Sequence, residues 1–256
     1  MMKWFYGSAA VAALAFAGTA FASQIDVNTN TGNEPSLYDI ANSPNYGTGI
    51  DGKGLFTGLN ANSPQVDASH WQVGGTGTSI SVLEATYTAN YNNATFGVYS
   101  IADPSKMLNL LAAGTSIGPN ANTNTKGFLN YSGNGVFNAY TENTKTHDIT
   151  YDSGDVDFGT SVFGYFLTVG NNTYYSDSSL NGGDPRMVGY ASDGSGTATA
   201  GEYLFGWEDG TDNDYQDYVA TVESVRPVPE PSSIAMFGVG LLMIGFAARR
   251  LQKRDV

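Results

Sequence analysis

Between residues 70 and 226 the chain is broken into short runs in which apolar or aromatic residues alternate with small or polar ones, each closed by Gly or Asn. A run of that kind has one face to bury and no helical period, so it is buried only by pairing with other runs into a sheet. The clearest case is Val162 to Val169 (VFGYFLTV), then Gly170-Asn171-Asn172, then Thr173 to Ser176. Gly and Asn tolerate the positive φ angles of tight hairpin turns, which predicts two antiparallel strands here. The abundance of Gly, Asn, Thr, Ser and Tyr around them favours strands and turns over helices.

Further strands are expected at Ser79–Ala89, Thr95–Ile101, Thr146–Tyr151, Met187–Ala191, Glu202–Trp207 and Tyr218–Val225. The first two flank Asn92-Asn93 and read as a hairpin. Lys106 to Ala113 (KMLNLLAA) fits a strand or one short helix, since periodicity does not separate the two over so few residues. No repeat of fixed period is present. Many short strands at short spacing predict an all-β, antiparallel β-sandwich of jelly-roll-like type over residues 71–226. Residues 23–70, dense in Asn, Gly, Pro and Asp, read as an irregular lead-in.

The two ends differ from this body. Residues 1–22 carry Lys3, an apolar run from Val11 to Ala17, and Ala20-Phe21-Ala22. These are the charged, apolar and small-x-small parts of a signal peptide, here a signal helix cut by signal peptidase between Ala22 and Ser23. At the other end, 227–256, comes Val228-Pro229-Glu230-Pro231, then an apolar run at 234–248, then Arg249, Arg250, Lys253 and Arg254. The two prolines hold the backbone extended, as a processing enzyme needs. The 15-residue run gives about 22 Å of helix against a hydrocarbon core of roughly 30 Å, so a single transmembrane helix needs its flanks. Basic residues at 249–254 stay on the cytoplasmic side, leaving the body outside.

This ordered trio resembles the PEP-CTERM sorting signal of Gram-negative bacteria that make exopolysaccharide. The resemblance implies that an inner-membrane exosortase recognises Pro229, Glu230 and Pro231 and cleaves near them. It also implies transient residence in the inner membrane, then the cell surface or extracellular matrix.

The body is acidic. Of the 24 acidic residues only Glu230 and Asp255 lie outside Ser23–Pro229, whereas five of the 11 basic ones do, so the body carries net −16 against −13 for the whole chain. That disfavours nucleic acid and anionic lipid as partners. Cysteine is absent, which removes disulfides, thiolate metal sites and cysteine nucleophiles. No phosphate-cradling Gly loop followed by Lys and Ser or Thr occurs. His70 and His147 stand in unrelated contexts and read as two ordinary histidines. The expectation is a protein that is not an enzyme. With so many acids, a carboxylate pair for glycoside hydrolysis carries no specific signal.

The sharpest chemical feature is Glu208, Asp209, Asp212, Asp214 and Asp217, five carboxylates within ten residues, with no Lys or Arg between Arg186 and Arg226. Like charges so close raise one another's pKa unless a cation neutralises them, and calcium, which takes six to eight oxygens, is the expected ion. An EF-hand is excluded, because Asp217 stands where its turn glycine belongs and a strand follows.

Phe205-Gly-Trp-Glu-Asp, then Asp212-Asn-Asp-Tyr-Gln-Asp217, is similar to the end of a β-rich bacterial domain of unknown function often found before PEP-CTERM tails. Ala94–Tyr99 and Gly182–Tyr190 are similar to other stretches of it. The resemblance covers about Trp71 to Val225 and implies a fold and an extracellular setting, with no set activity. Relatives often carry extra glycines before the Asp-x-Asp, so the loop with only Gly210-Thr211 is tighter.

Together these readings predict an exported, structural or adhesive matrix protein, held by calcium and associated with extracellular polysaccharide. The alternative is a carbohydrate-binding module, motivated by 16 Tyr and 3 Trp in an acidic chain.

Overall fold

The computed structural model describes residues 24–45, 53–74, 77–88, 91–111, 118–119 and 125–229. The expected signal segment with Ala20, Ala22 and Ser23, and the tail residues Glu230, Pro231, Arg249 and Arg250 with the apolar run, lie outside the described residues.

Among the described residues a helix α1 (Leu37–Asn42) comes first, followed by strands alone apart from two single 3-10 turns. The strands are β1 (His70–Val73), β2 (Thr78–Thr86), β3 (Ala94–Ser100), β4 (Met107–Leu111), β5 (Gly118–Pro119), β6 (Thr125–Gly133) and β7 (Val136–Asn143). They continue as β8 (Ile149–Asp157), β9 (Phe163–Val169), β10 (Asn172–Tyr175), β11 (Met187–Ala191), β12 (Tyr203–Trp207), β13 (Tyr218–Glu223) and β14 (Val225–Val228).

These strands form two antiparallel sheets. The first runs β14-β1-β9-β3-β4, with β10 also on β9, and the second runs β11-β12-β13-β2-β6-β7-β8, with β5 on β2. The sheets close on one aromatic core, as a sandwich requires. Trp71 lies 4.9 Å from both Tyr203 and Phe205, and Phe96 stacks on Tyr165 at 5.4 Å. Trp71, Phe96, Tyr165, Phe205, Trp207 and Tyr218 are all buried, so most of the large rings serve packing.

The β9–β10 hairpin forms as expected. Val169 pairs with Asn172 across Gly170-Asn171, and Gly170 takes φ +59°, the sign its first turn position needs. The expected pairing of Ser79–Ala89 with Thr95–Ile101 does not form. β2 pairs with β13 and β6, while β3 pairs with β4 and β9 in the other sheet. Leu83 of β2 and Phe96 and Val98 of β3 enter the core from opposite sheets, and burial of both strands on that core outweighs local pairing.

Lys106–Ala113 contains a strand, Met107–Leu111, and no helix among its described residues. The strand expected at Thr146–Tyr151 starts later, at Ile149. Asn143 Oδ1 accepts from the amides of Lys145 and Thr146 at 2.9 and 3.2 Å and folds that stretch into a turn. β6 and β7 fall outside the expected strands. They are joined at Asn134-Gly135, both at positive φ, the turn chemistry a two-residue hairpin favours.

Residues 24–45 and 53–60 contribute to a second buried cluster. Leu37, Ile40 and Ala41 of α1 are fully buried against Val188, Leu204, Tyr215 and Val219. Six residues are too few for an isolated helix. A capping box holds this one, with Ser36 Oγ accepting from Asp39 N–H and the Asp39 carboxylate accepting from Ser36 N–H. The helix approaches β12 at Gly206, where an added Cβ would stand 2.5 Å from the Tyr215 carbonyl and 2.8 Å from Leu37 Cδ2.

Ile40→Ala empties a site with 0% exposure and is expected to cost about 2–5 kcal/mol. Urea denaturation should show a lower midpoint in a single transition. An unchanged midpoint would mean that residues 24–60 are not part of the cooperative unit.

Candidate metal centre

β12 ends at Trp207, and the chain turns through 208–217 before re-entering the same sheet as β13. Two non-glycine residues there take positive φ, Asn213 at 59° and Tyr215 at 55°. Asn tolerates this region, whereas Tyr does so only when packing enforces it. The enforcing contacts are burial of the Tyr215 ring in the second cluster and a 3.0 Å hydrogen bond from its hydroxyl to the Pro185 carbonyl.

That curl aims three of the five expected carboxylates at one another. One oxygen each from Glu208, Asp212 and Asp214 lies within 4.8 Å of the other two. Glu208 is 1% exposed and Asp214 3%, while Asp212 is exposed. The Glu208 oxygens accept from Gly210 N–H at 2.6 Å and Asp214 N–H at 2.9 Å.

Asp209 and Asp217 are engaged elsewhere. Asp217 accepts from Asp209 N–H at 2.7 Å, and the Asp209 carboxylate accepts from the Thr88 hydroxyl. The Asp217 carbonyl accepts from Tyr87 N–H, Thr88 N–H and the Thr86 hydroxyl, so these two residues tie the loop to the end of β2.

Two groups join the site that sequence reasoning did not find. Gln216, fully buried, donates through Nε2 to Asp214 at 3.0 Å and to Glu34 at 2.8 Å, and its Oε1 has no hydrogen-bond partner. Asn28 donates to the carbonyls of Asn213 and Asp212 at 2.8 and 3.0 Å. The lead-in thus reaches the loop at Asn28 and Glu34, which have no sequence pattern in common with it.

Positive charge nearby is spent. Arg186 pairs with Asp184 at 2.8 Å, donates to the Gly210 carbonyl and lies 5.2 Å over the Tyr174 ring. Among the described residues, no ion pair includes Glu208, Asp212 or Asp214. Burial first, and neighbouring carboxylates second, therefore push the Glu208 and Asp214 carboxyls above their ordinary range. Asp217 is pushed up to about 9 by burial and by the charges of Asp209, Glu208 and Asp214. The two histidines are apart, His70 against Asp177 in β1 and His147 against Glu142 in the β7–β8 turn.

The description of the PEP-CTERM protein-sorting motif matches residues 227–251. The chain carries a PEP-CTERM sorting signal. A motif of this kind indicates an exported, exosortase-sorted protein. The PEP-CTERM match starts inside β14, whose Pro227 and Val228 pair with Trp71 and His70, and Pro229 emerges exposed from the sheet. Among the described residues no helix is long and apolar enough to cross a membrane. A search of curated proteins finds no match to the chain. Among solved structures, the high-affinity mannose-binding lectin of Ralstonia solanacearum is similar at 12% identity and a TM-score of 0.24. The likeness covers 64% of this chain and 100% of the lectin.

Raised carboxyl pKa values set a pH dependence in cation-free buffer. A group that binds its proton more tightly folded than unfolded contributes stability that is complete below its unfolded pKa of about 3.9 and is lost as pH rises through the folded value. Stability in chelator should therefore fall as pH rises from about 4 toward the Asp217 value of about 9. Asp217→Asn should flatten that slope in thermal melts. An equal slope in the variant would assign the dependence to other groups.

Proposed function

We propose that this PEP-CTERM protein is a structural or adhesive component of the cell surface or extracellular matrix, and that calcium at Glu208, Asp212 and Asp214 holds its body together. The observation that carries the reading is the convergence of three carboxylate oxygens, two from buried side chains, without a cationic side chain paired to them. Calcium binds oxygens at about 2.4 Å, so any two ligands of one ion stand at most about 4.8 Å apart. The three oxygens already meet that limit. The buried Gln216 Oε1, which lacks a partner, is a fourth oxygen on the same loop.

An ion there has a structural consequence. It would neutralise the loop between β12 and β13 and tie it to Glu34 and Asn28 of the lead-in through the hydrogen bonds already described. In a chain without cysteine that link takes the place of a disulfide. Extracellular calcium sites work at dissociation constants of about 10⁻⁴–10⁻³ M, which suits a protein that folds only after export. Association with extracellular polysaccharide is part of the same reading, and the export that the sorting signal indicates supports it.

A carbohydrate-binding role through exposed aromatic platforms draws less support. Among the described residues the large rings are mostly in the core, and Tyr151 is the aromatic among the exposed large hydrophobic residues.

Calcium at about 100 times its Kd should add about 2.7 kcal/mol and raise the melting temperature by about 5–10 °C. Asp214→Asn should remove that response. A melt that is the same in calcium and in chelator would end the calcium reading. For the sorting signal, mass spectrometry of the exported protein should find a C-terminus near Pro229–Pro231, and Arg254 still attached would refute processing.

A further inference from the structure

A second group of acids converges on the outer face of the larger sheet, away from the loop. Between β2, β13 and β6 lies a cleft of about 690 Å³, walled on one side by residues 197–202. Ile80 and Val82 give it an apolar floor, and Glu84, Glu202, Glu223 and Lys126 are the titratable groups that line it. The volume is that of a small-molecule site.

Glu84 continues the alternation of Ile80 and Val82 along β2 and so lines the same cleft. Val219 pairs with Ala85 but the next residue, Ala220, pairs with Leu83, which leaves Glu84 as the extra residue of a β-bulge. The bulge turns Ala85 to the outer cluster while Leu83 stays in the core. The carboxyl is 5% exposed and accepts from the Thr221 hydroxyl at 2.7 Å. Its pKa is pushed up to about 7, by burial first and then by the charge of Glu202. Glu223 is also raised, by burial and by Glu202, with Lys126 opposing. Glu202 thus acts on both other acids, which places the three within one electrostatic neighbourhood. Among the described residues no ion pair includes Glu84, Glu202 or Glu223, and carboxyls held close without one cost stability.

We propose that this cleft binds an amine-bearing, hydroxyl-rich ligand, an amino sugar of an extracellular glycan, with its ammonium among Glu84, Glu202 and Glu223 and its carbon face on Ile80 and Val82. Charge selects the amine, since acids outnumber the single lysine. The apolar floor beside threonine hydroxyls, Thr221 and Thr197 among them, suits a ring with one C–H face and a rim of hydroxyls. Lys126 competes with the ligand for the same carboxylates. The site is independent of the calcium reading, since it shares no residue with the acidic loop.

The test is calorimetric titration of the purified full chain, in buffer near neutral pH, with three probes: a glucosamine oligosaccharide, its N-acetylated form, and spermidine. The glucosamine oligosaccharide should bind one to one, and acetylation should weaken it by about tenfold or more. Spermidine, which has charge without hydroxyls, should bind weakly. Glu202→Gln with Glu223→Gln should abolish the preference, whereas Asp152→Asn with Asp155→Asn, the same loss of charge on exposed β8, should leave it intact. Lys126→Met should tighten binding, a gain that misfolding does not mimic. Equal binding of all three probes, equal weakening by both double variants, or absence of binding would overturn the proposal.

Discussion

Strands β2, β12 and β13 are covered on both faces, and the rest of the molecule is arranged around that demand. On one side Leu83, Phe205, Trp207, Tyr218, Ala220 and Val222 meet the smaller sheet. On the other, Ala85, Leu204 and Val219 meet α1 and the segment around Leu55 and Phe56. A two-layer sandwich leaves its outer faces to solvent, so apolar residues there need a third layer. Residues 24–60 supply it, and Gly206 lets the helix come close enough to do so.

Both clusters of acids lie at the edges of this third layer. The loop 208–217 is curled where β12 leaves the doubly covered region, and burial of Tyr215 in the outer cluster forces the conformation that brings Glu208 and Asp214 inward. The cleft opens where the cover stops, over Ile80 and Val82, with Leu55 and Ala198 at the boundary. In each place carboxyls lose water, and burial is the leading cause of their raised pKa values. Burial of that kind is expensive unless something outside the chain completes the site.

Much of the fold was legible because strands write themselves locally. The β9–β10 hairpin, β11, β12 and β13 follow from alternation and from Gly-Asn turn chemistry. β6 and β7 carried an equally good signal, Asn134-Gly135, beside alternation over 125–143. α1 was harder, since Ser36-x-x-Asp39 is a capping box with Asp in place of the usual Glu and only six helical residues follow. The β2–β3 pairing was misread because a short link between two alternating runs looks the same whether the chain turns back or crosses to another sheet. Of the acidic loop, residue types and spacing were visible, but which three of five carboxylates converge was not. That depends on Tyr215 at positive φ and on Asp209 and Asp217 being held by the end of β2.

The sequence by itself determined the address and the class of fold. The sorting signal is a linear pattern read by an enzyme along an extended peptide, and alternation with turn residues is a local property of the chain. Only the tertiary structure decided that Glu34 and Gln216 join the loop, that residues 24–60 cover the larger sheet, and that Glu84, Glu202 and Glu223 share a cleft. The positions involved are far apart in sequence, and they meet because apolar burial folds the intervening chain, a cooperative effect with no local signature.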